Sequence, residues 1–234
     1  TRRTFHEVME QVRTEEPEVL LMTGDNAADY SEGAYDHFFS VMQSFEQPHY
    51  WIPGNHDKVS AAESATGGKP FQRTLDLGDW LVVMLDSVIP RSPNGNLGPE
   101  ELQVLEVILE QSAHDNIIIC LHHHPVNINC AWLDTQIVAD ADDFFAAVDR
   151  FPGVKAIFWG HIHQEFNSRH GDVLLHSCPS TCVQFLPDSD EFALDSRSPG
   201  YRVIELNDDG SINTYVRRVE IRDMGIDIGC LGYK

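Results

Sequence analysis

Apolar positions along this chain switch repeatedly between two spacings. Phe5, Val8, Met9 and Val12 recur at the spacing of one helix face, and a short apolar run, "VLLMTG" (19–24), follows. Tyr35, Phe38, Phe39 and Met42 make a second stripe before "YWIPG" (50–54). "WLVVMLD" (80–86) is a further apolar run. Leu102, Leu105, Ile108 and Leu109 precede "IIICLH" (117–122), and Phe144, Phe145 and Val148 precede "VKAIFWGH" (154–161). The pattern predicts helices alternating with buried strands. The later runs "DVLLHS" (172–177), "YRVIEL" (201–206) and "INTYVRRV" (212–219) lie close in sequence and are expected to be antiparallel strands.

"SAAESATGGKP" (60–70) and "PRSPNGNLGPEE" (90–101) read as surface loops. Pro99, just before an acidic pair, suits the first turn of a helix. The expected fold is α/β, with two mixed β-sheets packed together and helices outside, and the chain 1–234 is expected to be one domain.

Composition removes several classes of function. A formal net charge of −21 repels phosphate backbones, so a nucleic-acid polymer is not expected as partner. A small anion could still bind where metal ions supply positive charge. The sequence has no apolar run of about 18 residues, so no membrane span is expected. The five cysteines, an odd number without paired zinc spacing, read as reduced thiols in the cytoplasm.

The twelve histidines change the picture because they cluster where strands stop. "LLMTGD" ends in Asp25, "YWIPGNHD" in Asn55, His56 and Asp57, "IIICLHHHP" in His122, His123 and His124, and "AIFWGHIH" in His161 and His163. Each has a bland reading: Gly-Asp and Asn-His-Asp as tight turns, the histidine run as a surface feature, the His-x-His pair as strand neighbours. Four such endings in one chain are improbable by accident, because open α/β sheets bind ligands at the carboxyl ends of their strands. Carboxylate, amide oxygen and imidazole without thiolate suit a borderline-hard ion such as iron, manganese or zinc. A carboxylate able to bridge, flanked by imidazoles, suggests a two-metal centre that could act on a phosphoryl group.

"GD" (24–25), "GNHD" (54–57), "HHHP" (122–125) and "GHIH" (160–163) resemble, in order, the motifs of the calcineurin-like metallophosphoesterases. "CAWLD" (130–134), "GHIHQE" (160–165), "PSTCVQF" (179–185) and "FALDSRSPGYRVIEL" (192–206) resemble one branch, the bacterial class III 3′,5′-cyclic AMP phosphodiesterases. The resemblance implies an αββα sandwich and hydrolysis of cyclic AMP to 5′-AMP, lowering cellular cyclic AMP. It implies two metal ions, iron and manganese with zinc as alternative. Asp25 would bridge them; Asn55, His122 and His161 would complete one ion, and His163 would bind the other. A metal-bridging hydroxide would attack phosphorus in line, with Asn55, His56 and His163 contacting the substrate. His56 would assist departure of the 3′ oxygen, with Asp57 orienting its ring. His123 is a group expected behind the ligands, and His124 has no assigned role. Trp132 and Phe185 are candidates for either core packing or contact with the base.

The family also opens with an Asp-x-His motif on its first strand. Before Asp25 this sequence has only the helical pattern "RTFHEVMEQVRTEEP", in which His6 is a poor substitute. The N-terminal strand of the fold is therefore expected to be missing from the sequence, whether by truncation, an unrecorded start or a natural short form. Its loss would expose neighbouring strand edges and favour association with another chain, such as a homodimer. Two other functions stand beside cyclic AMP hydrolysis: a broader phosphodiesterase for glycerophosphodiesters or aryl phosphates, and a metal-poor nucleotide binder.

Overall fold

The computed structural model describes residues 2–27, 31–66 and 71–221, together with Gly225, Gly229, Cys230 and Gly232. The first half carries α1 (Arg2–Thr14), β1 (Leu20–Met22), α2 (Glu32–Met42), β2 (His49–Trp51), α3 (Val59–Ala65), β3 (Thr74–Leu77), β4 (Trp80–Met84) and α4 (Gly98–Gln111). The second carries β5 (Asn116–Leu121), α5 (Ala131–Asp134), α6 (Ala141–Val148), β6 (Val154–Trp159), β7 (Asn167–His170) and β8 (Val173–Ser177). After these come β9 (Gln184–Phe185), β10 (Leu194–Asp195), β11 (Gly200–Leu206) and β12 (Ile212–Arg218).

Six strands form one mixed sheet in the order β3-β4-β5-β6-β8-β7. Its central strands β4, β5, β6 and β8 are parallel, while β3 and β7 close the edges antiparallel. Each central strand is apolar on both faces, as a sheet covered on both sides requires. Leu81, Val83, Ile117, Ile119, Leu121, Ile157 and Trp159 face one core, shared with Leu105 and Leu109 of α4 and with Phe144, Phe145 and Val148 of α6. Trp80, Val82, Met84, Ile118, Cys120, Ala156 and Phe158 face the other.

That second core is covered by Leu21 and Tyr50 of the parallel pair β1–β2 and by Ile204, Leu206 and Ile212 of the antiparallel pair β11–β12. α1 and α2 pack outside these pairs through Val8, Met9, Val12, Tyr35, Phe38, Phe39 and Met42. The layers therefore run helix, strand pairs, six-stranded sheet, helix, which agrees with the expected sandwich. Among the described residues the strand-pair layer is not one continuous sheet, because β1 pairs only with β2 and β11 only with β12. A cavity of roughly 2030 Å³, lined by β1, β11 and the apolar face of β4–β6, opens towards the carboxyl ends of β1, β2, β5 and β6.

The helical stripes all fall on helices. α4 begins at Gly98 with Pro99 in its first turn, and Asp140 caps it from a distant segment by accepting from Leu97 N at 2.9 Å and Gly98 N at 2.6 Å. Two expectations are corrected. Residues 59–65 form α3, where a loop was expected, because the run is alanine-rich and Ala61 and Ala62 are buried against the α1–α2 core; residues 67–70 lie outside the described residues. β8 joins β6 in parallel and pairs antiparallel only with β7, while the expected antiparallel pairing holds for β11 and β12.

His176 on β8 is buried, and its Nδ1 donates to Asn167 Oδ1 at 2.7 Å. Burial, with Arg202 and Arg169 nearby, pushes its pKa down to about 4 from an ordinary 6.5. Between those values the unfolded chain binds a proton that the folded chain resists, so stability is full above pH 6.5 and is lost as pH falls towards 4. Urea unfolding across that window should show His176→Gln losing less stability than the unaltered chain, by up to about 1.4 kcal/mol per pH unit.

Candidate metal centre

Four strands deliver the site. Asp25 follows β1, Asn55, His56 and Asp57 follow β2, His122, His123 and His124 follow β5, and His161 and His163 follow β6. The turns leave no room for larger residues. A Cβ on Gly24 would lie 2.3 Å from His122 Nδ1, and one on Gly54 would lie 2.2 Å from Asp25 Oδ1. A Cβ on Gly160 would meet the Thr23 carbonyl at 2.7 Å. Asp25, His161 and His163 themselves have φ of 57°, 56° and 49°, a left-handed backbone that costs energy in non-glycine residues. Their side chains are thereby turned inward.

His122 Nδ1 donates to the Thr23 carbonyl at 2.7 Å. Nε2 then faces two oxygens, Asn55 Oδ1 at 3.0 Å and Asp25 Oδ2 at 3.4 Å; burial opposes a proton on this ring, but the charge and hydrogen bond of Asp25 outweigh it and raise its pKa. Asn55 Oδ1 is also 3.0 Å from His161 Nδ1. Oxygens and lone-pair nitrogens gathered this way need a proton or a cation among them. Spacings of this size are what metal–ligand bonds of ~2.1 Å produce. The donor nitrogens of His122, His123 and His161 lie within 4.8 Å of one another. Nε2 of His123 and of His161 are buried with no hydrogen-bond partner. The donor set therefore fits a cation.

The electrostatics agree. Burial opposes ionisation of Asp25, but the charge and hydrogen bond of His122 and the His56 backbone N–H, 2.8 Å from Oδ1, outweigh it and hold the carboxyl well below the usual range. Burial pushes the pKa of His161 well down, with the neighbouring His122, His123 and His124 acting the same way. Burial likewise brings His163 to about 4, so both rings are neutral and able to ligate at pH 7.

Asp25, Asn55, His122 and His161 are thus brought together as expected, and His56 half-lines the cavity beside them. His163 senses the charge of Asp25 and lines the same cavity, outside the three-histidine group. His123 stands beside the other rings, where it was expected behind them; its ring lies 4.7 Å from that of His161 and its Nδ1 2.8 Å from Ser87 Oγ. His124 stacks on His161 at 5.8 Å.

Asp57 sits between two turns. Its Oδ2 accepts from Asn26 N, Asn26 Nδ2 and Gly54 N at 3.1, 3.0 and 2.9 Å, and its Oδ1 from Ala27 N and Tyr35 Oη at 3.2 and 3.0 Å. These bonds tie the Asp25 turn to the Asn55 turn. Thr23, Asn26, Tyr35 and Ser87 were not anticipated. Tyr35 reads in sequence as one apolar position of α2, and only its buried hydroxyl, which also accepts from Lys58 N at 2.6 Å, shows its second task.

Residues 1–165 match the family model described as calcineurin-like phosphoesterase. The chain is 40% identical over its whole length to a Vibrio vulnificus protein named 3′,5′-cyclic adenosine monophosphate phosphodiesterase CpdA, covering 87% of that protein. Proteins of the same name from Pseudomonas aeruginosa and Escherichia coli are 35% and 36% identical, again over 100% of this chain and over 87% and 86% of theirs. Among solved structures, a dimetal phosphatase from Danio rerio superposes with a TM-score of 0.64 at 14% identity, covering 94% of this chain and 89% of that one. The chain therefore belongs to the calcineurin-like phosphoesterase family, whose members use a dinuclear metal centre.

Every atom bonded to the Asp57 carboxylate is a donor, so Asp57→Asn turns an NH2 group against donors without changing shape. Thermal or urea unfolding should show a loss of about 1–3 kcal/mol. Gly54→Ala should abolish tight Mn²⁺ binding, measured by calorimetry, because the added Cβ falls on the Asp25 carboxylate.

Proposed function

We propose that this chain hydrolyses 3′,5′-cyclic AMP to 5′-AMP with bound metal ions and so lowers cyclic AMP. The observation that carries the substrate is the full-length likeness to proteins named for that activity. The reaction class is supported by the buried oxygen and imidazole donors at four strand ends.

Asp25, Asn55, His122 and His161 would hold one ion, with Asp25 shared to a second ion at His163. Iron and manganese suit this donor set, as does zinc. Such ions supply positive charge to phosphoryl oxygens and an activated water. The protein's own groups do the rest. The His122 ring is held edge-on by the Thr23 carbonyl. The His56 backbone fixes Asp25, while the residue lines the cavity, where its ring would give a proton to the departing 3′ oxygen. Asn55, His56 and His163 form the wall that a bound phosphoryl group would meet. Asp57 acts one step back, holding the turn that carries all three groups of the Asn-His-Asp motif.

Free cysteines, Cys120, Cys130, Cys178, Cys182 and Cys230, support a reducing compartment, and the cytoplasm suits an enzyme acting on this messenger. No helix among the described residues is long and apolar enough to cross a membrane. Two cores on the opposite faces of one six-stranded sheet, with the α1–α2 core packed outside, support a single domain.

With Mn²⁺ added, the chain should convert cyclic AMP to 5′-AMP, and His56→Ala should lower turnover by about 10²–10⁴-fold. Unchanged turnover in His56→Ala would remove its role as acid. Equal or faster cleavage of glycerophosphodiesters and aryl phosphates would replace the substrate assignment with a broader one. About one metal per chain with no turnover would replace it with nucleotide binding.

A further inference from the structure

We infer that Phe185 is the positioning residue of His163, setting the plane of its imidazole through ring stacking. The inference rests on the proposed role of His163 as a metal ligand and goes beyond it. The two rings lie 4.3 Å apart between centroids with only 2° between their planes. The Phe185 backbone N–H also donates to the His163 carbonyl at 3.3 Å, so side chain and main chain are clamped by the same residue.

His163 needs such a clamp. His122 is oriented by the Thr23 carbonyl. A metal-bound imidazole is ordinarily fixed by an oxygen on its other ring nitrogen. His163 Nδ1 is buried without such a partner; the Val183 carbonyl favours its protonated form but does not meet it in hydrogen-bonding geometry. Its backbone, at φ 49°, is in a conformation the chain does not hold for nothing. A flat ring laid on the imidazole face restricts rotation about the Cβ–Cγ bond, leaving the nitrogens edge-on to the cavity.

Phe185 is itself rigid. It is 4% exposed, and Trp132 and Phe192 meet it edge-to-face at 5.0 and 5.6 Å. β9 is pinned to β10 by the pairing of Phe185 with Leu194. Trp132 and Phe185 therefore pack on one another, as one of their two expected roles required, and the packing ends on a ligand. His163 covers one face of Phe185, and Trp132 and Phe192 pack around it.

The test is Co²⁺ titration followed by visible absorption and calorimetry, on the unaltered chain and on His163→Ala, Phe185→Leu, Phe185→Tyr and Phe144→Leu. His163→Ala identifies the binding step that depends on His163. Phe185→Leu should weaken that step by about 10–100-fold and alter its spectrum. Phe185→Tyr should restore both, and Phe144→Leu, a packing loss in the core behind α6 away from Phe185, should lower the melting temperature while leaving the affinity unchanged. Unchanged binding by Phe185→Leu, or a weakening that Phe185→Tyr does not restore, overturns the inference and leaves Phe185 as core. A binding curve that His163→Ala does not alter overturns the ligand role of His163 and the inference with it.

Discussion

The turns that carry Asp25 and Asn55 come from neighbouring parallel strands, and the Asp57 carboxylate ties them together through bonds from Asn26, Ala27, Gly54 and Tyr35. Everything else at the site depends on that knot. The short β1–β2 ladder, three residue pairs long, could not by itself hold two loops to a fraction of an ångström. Burial raises the pKa of Asp57, and the nearby Asp25 charge raises it further, while the donors from Gly54, Asn26 and Tyr35 oppose both. The charge is tolerated inside because each lone pair has a donor.

Around the knot the chain holds groups that resist being together. Asp25, His161 and His163 occupy left-handed backbone, and several buried ring nitrogens have no protein partner. Two apolar cores carry that cost by fixing the strands from which the loops start. A fully buried Leu, Ile or Phe side chain contributes roughly 1.5–3 kcal/mol, so a few such residues offset one strained or unpaired group. The geometry is then available to a cation without reorganisation, which is the condition for electrostatic catalysis.

Much of the fold was legible from periodicity. The stripes of α1, α2, α4 and α6 and the runs of β4, β5 and β6 are local patterns that tertiary contacts reinforce. The failures are local patterns that tertiary contacts overrule. α3 looks like a loop until Ala61 and Ala62 find a surface to pack on. β8 looks like the start of an antiparallel run, yet its partner is β6, because the sheet offered an open parallel edge. The strands β3, β7, β9 and β10 are short or polar and carry no strong signal of their own.

By itself the sequence determined which side chains stand at the strand ends. Asp25, Asn55, His122, His161 and His163 each close an apolar run, and side chains at the carboxyl edge of parallel strands have one crevice to enter. Only the tertiary structure decided what those groups touch. Thr23 and His122 meet across 99 residues, and Tyr35 and Asp57 across 22. His123 joins the cluster, Asp57 ties two turns together, and Phe185 lies flat on His163. Ring planes and hydrogen-bond partners depend on distances between segments far apart in the chain, and no local spacing of residues encodes a distance.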